Sequence, residues 1–197
     1  MKRKIQCFPE DFDDIKAYMF LACPIVHPSV MMRRDVFFKY NIRYDEHYRN
    51  MEDYKLWYDI MQIGKIANIS EPLLFYRISK EQVSTKYKVN QMIGNKLFRR
   101  EIMSTYLLSK GINIDERIIN WELIHEISHL KLQTIDDAKM IASILFVCCL
   151  SVHDNKGLGL IKFLYSLVWT KRFFHCKYIG GIIIHYLHLK RLDYLSI

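Results

Sequence analysis

The chain has 197 residues, of which 51% are hydrophobic. That is enough for one domain or one and a half with a buried core, and it excludes a disordered tail. Lys and Arg number 29 against 21 Asp and Glu, a formal charge of +8, which favours an anionic partner without choosing among nucleic acid, an acidic membrane and a phosphorylated substrate. Five cysteines, an odd number without a CxxC pair, and the lack of a signal peptide read as reduced, mostly buried thiols in a cytosolic protein. The longest apolar run, 141–150, is too short to cross a bilayer as a helix.

In chain order, "FDDIKAYMFLA" at 12–22 has helical spacing, with Ile15, Tyr18, Met19 and Ala22 on one face. Pro24 and Pro28 then break any helix, and "SVMM" reads as a short buried strand. "RRDVFFKYN" is a short helix with Asp35 near its start and Asn41 as a left-handed stop. A polar loop, "IRYDEHYRN", follows. Residues 52–63 carry apolar residues on a 3.6 period, with Tyr54, Trp57 and Ile60 inward and Gly64 as the stop. "KIANI" and "LLFYRI" are expected strands around the turn "SEP". From about 86 the chain turns helical. Val89, Met92, Ile93, Leu97, Ile102, Tyr106 and Leu107 mark a long amphipathic helix ending at Gly111, and further helices fit 117–132, 135–152, 157–170 and 178–195. The expected organisation is a mixed part, 1–86, followed by a helical extension, 87–197. Only seven glycines occur and no Gly-rich phosphate loop is present, sparse for a complete nucleotide-binding α/β domain.

Glu52 and Asp53 open the 52–63 helix. Acids there complement the helix dipole, worth roughly 0.3–1 kcal/mol. The same placement, after a polar loop and above a buried apolar face, can also hold a carboxylate at a site edge, where it takes a proton from an attacking hydroxyl. Both readings stand on the residues alone.

The segment from about 23 to 88 resembles the C-terminal half of family 2, inverting glycosyltransferases of the GT-A fold. The likeness lies in the order of "HPS", "RR", "YDE", "EDYKLW", "GK" and "PLLFYR". The resemblance implies an α/β architecture: an α+β fragment with part of a GT-A-like mixed sheet and its helices, then an all-helical C-terminal extension. It implies Asp53 as the catalytic base, Glu52 holding the loop or contacting the acceptor, and His27 and Ser29 lining the acceptor side. Trp57 is either a stacking face for substrate or part of the core. The implied substrates are a nucleotide-sugar and an acceptor glycan, in polysaccharide biosynthesis. The part of that family that binds the donor, with its Asp-x-Asp and divalent Mg or Mn, has no counterpart here, so the metal is expected only in a complete enzyme and no metal is expected on this chain. "DFD" at 11–13 reads as a helix N-terminal acid cluster, and Ser79 stands where the family often has His. The expected partner is a separate or preceding donor-binding half.

A second motif competes. His125-Glu126-Ile127-Ser128-His129 is HExxH on an expected helix, the spacing of a zinc metalloprotease. A catalytic zinc wants three protein ligands, and the extended protease pattern is missing: Leu132 and Ile135 occupy its later glycine and histidine places, leaving only His153 or Asp137 as ligands. The eight histidines show no Cys-partnered zinc spacing. A non-catalytic helical interaction module is the remaining alternative. Residues 160–197 set six Lys or Arg among aromatic and aliphatic residues. This tail reads either as a helix lying on an anionic membrane surface or as a helical cap on the core. Nucleic acid is not an expected partner, since no recognisable motif supports it. The expected location is cytoplasmic, peripheral to the inner membrane face.

Overall fold

A computed structural model describes residues 8–152 apart from Ile78, Lys80, Glu116 and Leu132. The expected helices at 157–170 and 178–195, with the basic tail, lie outside the described residues. The chain divides into two units, Met1–Arg99 and Arg100–Ile197.

In the first unit, α1 (Phe12–Tyr18) starts after an extended Asp11, with Asp13 and Asp14 in its first turn, and Lys16 pairs with Asp13 at 3.0 Å. The acid-cluster reading of 11–13 agrees with this placement. Ile15 and Ala17 to Leu21 are buried. The carbonyls that follow the helix have no helical partners and are met by side chains from far away. The Tyr54 hydroxyl donates to Met19 O, and Arg99 Nη1 donates to Leu21 O at 2.8 Å.

After α2 (Asp35–Phe38), Asn41 takes φ 52°, the expected left-handed stop. Asn50, at φ 69°, turns the chain into α3 (Glu52–Ile63), and its carbonyl accepts from Gln91 Nε2 at 2.7 Å. The inward face of α3 is the expected set Tyr54, Trp57 and Ile60, widened by Leu56 and Met61. Lys55 and Asp59 pair one turn apart on its flank at 2.7 Å. After α4 (Val83–Lys86), the long helix α5 (Lys88–Ser109) packs the buried Phe98 edge-on against Tyr48, Tyr54 and Tyr58, with ring centroids 5.4, 5.0 and 5.8 Å away. Gly94 leaves room for the Met51 side chain, which any Cβ there would strike.

The expected α/β class is overturned: among the described residues the chain is helical and has no strand. The GT-A-like mixed sheet is therefore absent from them, and the described residues of the three expected strands form none, Ser29 closing a 3-10 turn instead. Met31 of "SVMM" is almost wholly exposed, and most residues from Lys65 to Arg77 are exposed, Phe75 at 89%. A strand needs a partner's N–H and C=O groups, whatever its own propensity. Here the 65–69 segment is fastened through Asn68 instead. Its N–H donates to Glu10 O at 3.1 Å, and its amide donates to Pro9 O at 2.6 Å and Pro24 O at 3.1 Å.

In the second unit, α5 ends as expected at Gly111, which has φ 87°. Gly111 N–H bonds Leu108 O and Ile112 N–H bonds Leu107 O, both at 2.9 Å, the paired closure that a left-handed glycine permits. Two further helices, α6 (Trp121–Ser128) and α7 (Ile135–Ser151), pack together. Asn120 and Thr134 cap them, accepting from Leu123 N–H at 2.9 Å and Asp137 N–H at 3.0 Å. Arg100 of α5 holds the connecting loop through the carbonyls of Ile114 and Arg117 at 3.0 and 2.7 Å. Asp137 accepts from the Tyr106 hydroxyl at 2.8 Å and pairs with Lys110 at 2.8 Å.

Candidate functional site

Helix α3 lacks a capping side chain at Met51. Asp53 does that work from inside the first turn: its Oδ1 accepts the Tyr54 N–H at 2.7 Å. The carboxylate is half-buried, while Glu52 beside it is exposed. Burial raises the Asp53 proton affinity above the usual Asp range. The Tyr54 N–H and His27 pull it back, and the Glu52 charge pushes it up. A carboxylate in that condition is a better proton acceptor than an exposed one.

Three other side chains, His27, Tyr44 and Cys23, are within electrostatic reach of Asp53. His27 begins a short 3-10 turn, His27–Ser29, whose rigidity comes from Pro28. The His27 ring lies 5.7 Å from that of Trp57 and 6.0 Å, nearly perpendicular, from that of Tyr44. The Tyr44 hydroxyl is 3.5 Å from His27 Nε2. Tyr44 is held by its loop on both sides. Arg43 Nη1 donates to the carbonyls of Phe37 and Ile42, and Asp45 accepts the His47 N–H at 3.0 Å to cap the next turn. The Tyr44 phenol has a raised proton affinity, first from burial and then from the charges of Asp53 and Glu52. Cys23 closes the set. Burial, with Asp53 adding to it, pushes its thiol up to about 12, and Sγ–H donates to Ile25 O at 3.4 Å. Such a thiol is protonated and inert as a nucleophile.

Of the residues singled out from the sequence, Asp53, Glu52, His27 and Trp57 come together. The Ser29 hydroxyl turns back to its own 3-10 turn, donating to Val26 O at 2.8 Å. Trp57 is 2% exposed, and its Nε1 has no hydrogen-bond partner among the described residues. Tyr44 and Cys23 went unnoticed in the sequence. The "YDE" stretch held the signal for Tyr44, whose ring neighbours are set by tertiary structure. The signal for Cys23, a thiol just before Pro24, is too common to stand out.

The HExxH motif sits on α6. The rings of His125 and His129 are 4.1 Å apart. Glu126, the base in a zinc protease, is engaged by Arg117 at 2.7 Å. Near His129 Nδ1 lie His125 O at 2.8 Å and Ser128 Oγ at 3.1 Å. Among the described residues no group of three or more His, Cys, Asp or Glu side chains is placed to hold a metal ion, and no helix is long and apolar enough to cross a membrane.

The chain is related to proteins named as glycosyltransferases. It is 31% identical over 153 residues to an uncharacterised glycosyltransferase of Haemophilus influenzae, a match covering 77% of this chain and 45% of that protein. It is 32% identical over 114 residues to the bifunctional glycosyltransferase pgtA of Dictyostelium discoideum, covering 55% of this chain and 15% of that protein. The chain thus spans less than half the length of either relative. No family model and no solved structure matches.

Proposed function

We propose that this chain supplies the acceptor side of an inverting, family 2-like glycosyltransferase, with Asp53 as the base. The carrying observation is the half-buried Asp53 carboxylate at the head of α3, its proton affinity raised by burial and its orientation held by the Tyr54 N–H. Asp53 takes the proton of an acceptor hydroxyl. That oxygen bonds to the anomeric carbon of a nucleotide-sugar as the bond to the diphosphate breaks, with inversion. Glu52 shapes the field around the base. His27, Ser29 and Trp57 belong to the acceptor side, Trp57 as the packed support under His27.

The donor-binding half lies in a separate or preceding polypeptide segment, a reading supported by the 45% coverage of the Haemophilus relative. The diphosphate leaving group must be neutralised by cations there. The described residues here offer no set of ligands that fits Mg or Mn, so no step runs through a metal on this chain. We place the chain in the cytoplasm at the inner membrane face; the excess of 29 basic over 21 acidic residues favours an anionic partner, of which that surface is one.

The test is transfer from a nucleotide-sugar with this chain fused or mixed with a donor-binding half. Asp53→Asn keeps the shape and the Tyr54 contact and removes the proton acceptor. It should lower transfer by about 10²–10⁴-fold with nucleotide binding intact, and Glu52→Gln should cost less. Near-full transfer by Asp53→Asn would move the base elsewhere.

A further inference from the structure

We propose that Tyr44 and His27 form a carbohydrate-binding wall beside Asp53, against which the ring of a neutral acceptor sugar rests. The proposal deepens the acceptor-side function given above and rests on it.

Three rings from separate parts of the sequence are in successive contact: Tyr44 with His27 at 6.0 Å and nearly perpendicular, and His27 with Trp57 at 5.7 Å and tilted. The series runs from the core to solvent. Trp57 at its inner end is 2% exposed, and Tyr44 at its outer end is 46% exposed. Core packing thus fixes the outermost ring through its neighbours and leaves that ring open to a ligand. Asp53 precedes Trp57 by one helical turn and so shares its side of α3. The charges of Asp53 and Glu52 both act on the Tyr44 hydroxyl, and His27 acts on Asp53.

The polar atoms of the wall are underused. At 3.5 Å, the Tyr44 hydroxyl and His27 Nε2 lie beyond the roughly 2.7–3.2 Å of a well-formed hydrogen bond. The long contact leaves either atom able to turn to a sugar hydroxyl that approaches from solvent. A pyranose offers what this surface accepts, C–H faces for aromatic rings and hydroxyls for their polar tips. The acid pair selects further. Glu52 and Asp53 repel an anionic group, which disfavours a nucleoside diphosphate and leaves the place to an uncharged sugar.

The experiment is NMR on the full chain with methyl β-D-glucopyranoside, methyl β-D-galactopyranoside and methyl N-acetyl-β-D-glucosaminide as probes. Saturation transfer to the glycoside is read together with the Tyr44 ring and His27 Hε1 resonances. At least one glycoside should move both resonances. Tyr44→Ala, at a half-exposed position where the fold tolerates truncation, should weaken that glycoside by about tenfold or more. Tyr44→Phe, which keeps the ring, should fall between. Unchanged binding by Tyr44→Ala, or no response of either resonance to any glycoside, overturns the proposal. The enzymatic reading fails separately: transfer retained in Asp53→Asn removes the base and leaves the sugar wall standing.

Discussion

Phe98 joins three aromatic rings of the first unit, and its replacement tests the packing that holds α3. The side chain is 1% exposed and meets the rings of Tyr48, Tyr54 and Tyr58 edge-on, at interplanar angles of 77°, 74° and 89°. Phe98→Ala opens a cavity and should cost about 3–5 kcal/mol. Phe98→Leu refills most of that space and removes only the edge-to-face attraction, about 0.5–1.5 kcal/mol for each aromatic pair. Three pairs sharing one ring do not add fully, so a cost of about 1.5–3 kcal/mol is expected for Leu. The assay is urea unfolding followed by Trp57 emission, in a background where Trp121 and Trp169 are replaced by Phe. Tyr54 follows Asp53 directly and anchors α3 to the Met19 carbonyl, so the Leu variant should also broaden the resonances of the first turn of α3. A Phe98→Leu cost within about 0.5 kcal/mol of zero, with Ala still costly, would show that burial alone holds the cluster.

Two further outcomes follow from the charges. Burial raises the folded-state proton affinity of Asp53, so the folded form binds more protons than the unfolded form between the ordinary Asp value and the raised one, and stability falls as pH rises through that window. Asp53→Asn should therefore stabilise the protein at neutral pH and match the parent at pH 3, by about 1.4 kcal/mol for each pH unit of upward displacement; equal stability at pH 7 would refute it. Asp137 has the opposite sign: burial alone would raise it, but hydrogen bonds from Lys110, Tyr106 and the Gln133 N–H outweigh burial and hold it below the ordinary Asp value. Its contribution is present above that value and is lost as pH falls through the lowered one. Asp137→Asn, which keeps an acceptor but loses the solvent-screened charge, should cost about 0.5–1 kcal/mol at pH 7 and less in acid, measured by urea unfolding across pH.

Local chemistry alone determined several elements. Helix α3 runs over the expected 52–63, because its apolar residues repeat every 3.6 positions, acids open it and Gly64 follows it. Asn41 and Gly111 stop their helices because each tolerates a left-handed backbone. Asp53 was legible as a candidate because an acid in the first turn of an amphipathic helix sits at the boundary between core and solvent.

Tertiary structure decided what depends on distant partners. Apolar segments at 29–32, 65–69 and 73–78 read as strands, yet extended backbone becomes sheet only when another segment supplies its hydrogen bonds, and the described chain supplies Asn68 and a few carbonyls instead. The stripe of α5 divides for the same reason. Ile102 and Leu107 are buried, while Val89, Ile93 and Leu97 are more than half exposed, since periodicity says which residues share a face and only packing says where along the helix that face is covered. The setting of Asp53 is likewise mostly nonlocal: Cys23 and His27 come from an earlier segment and Tyr44 from the preceding loop, and the raised proton affinity of Asp53 comes first from burial that no single segment encodes.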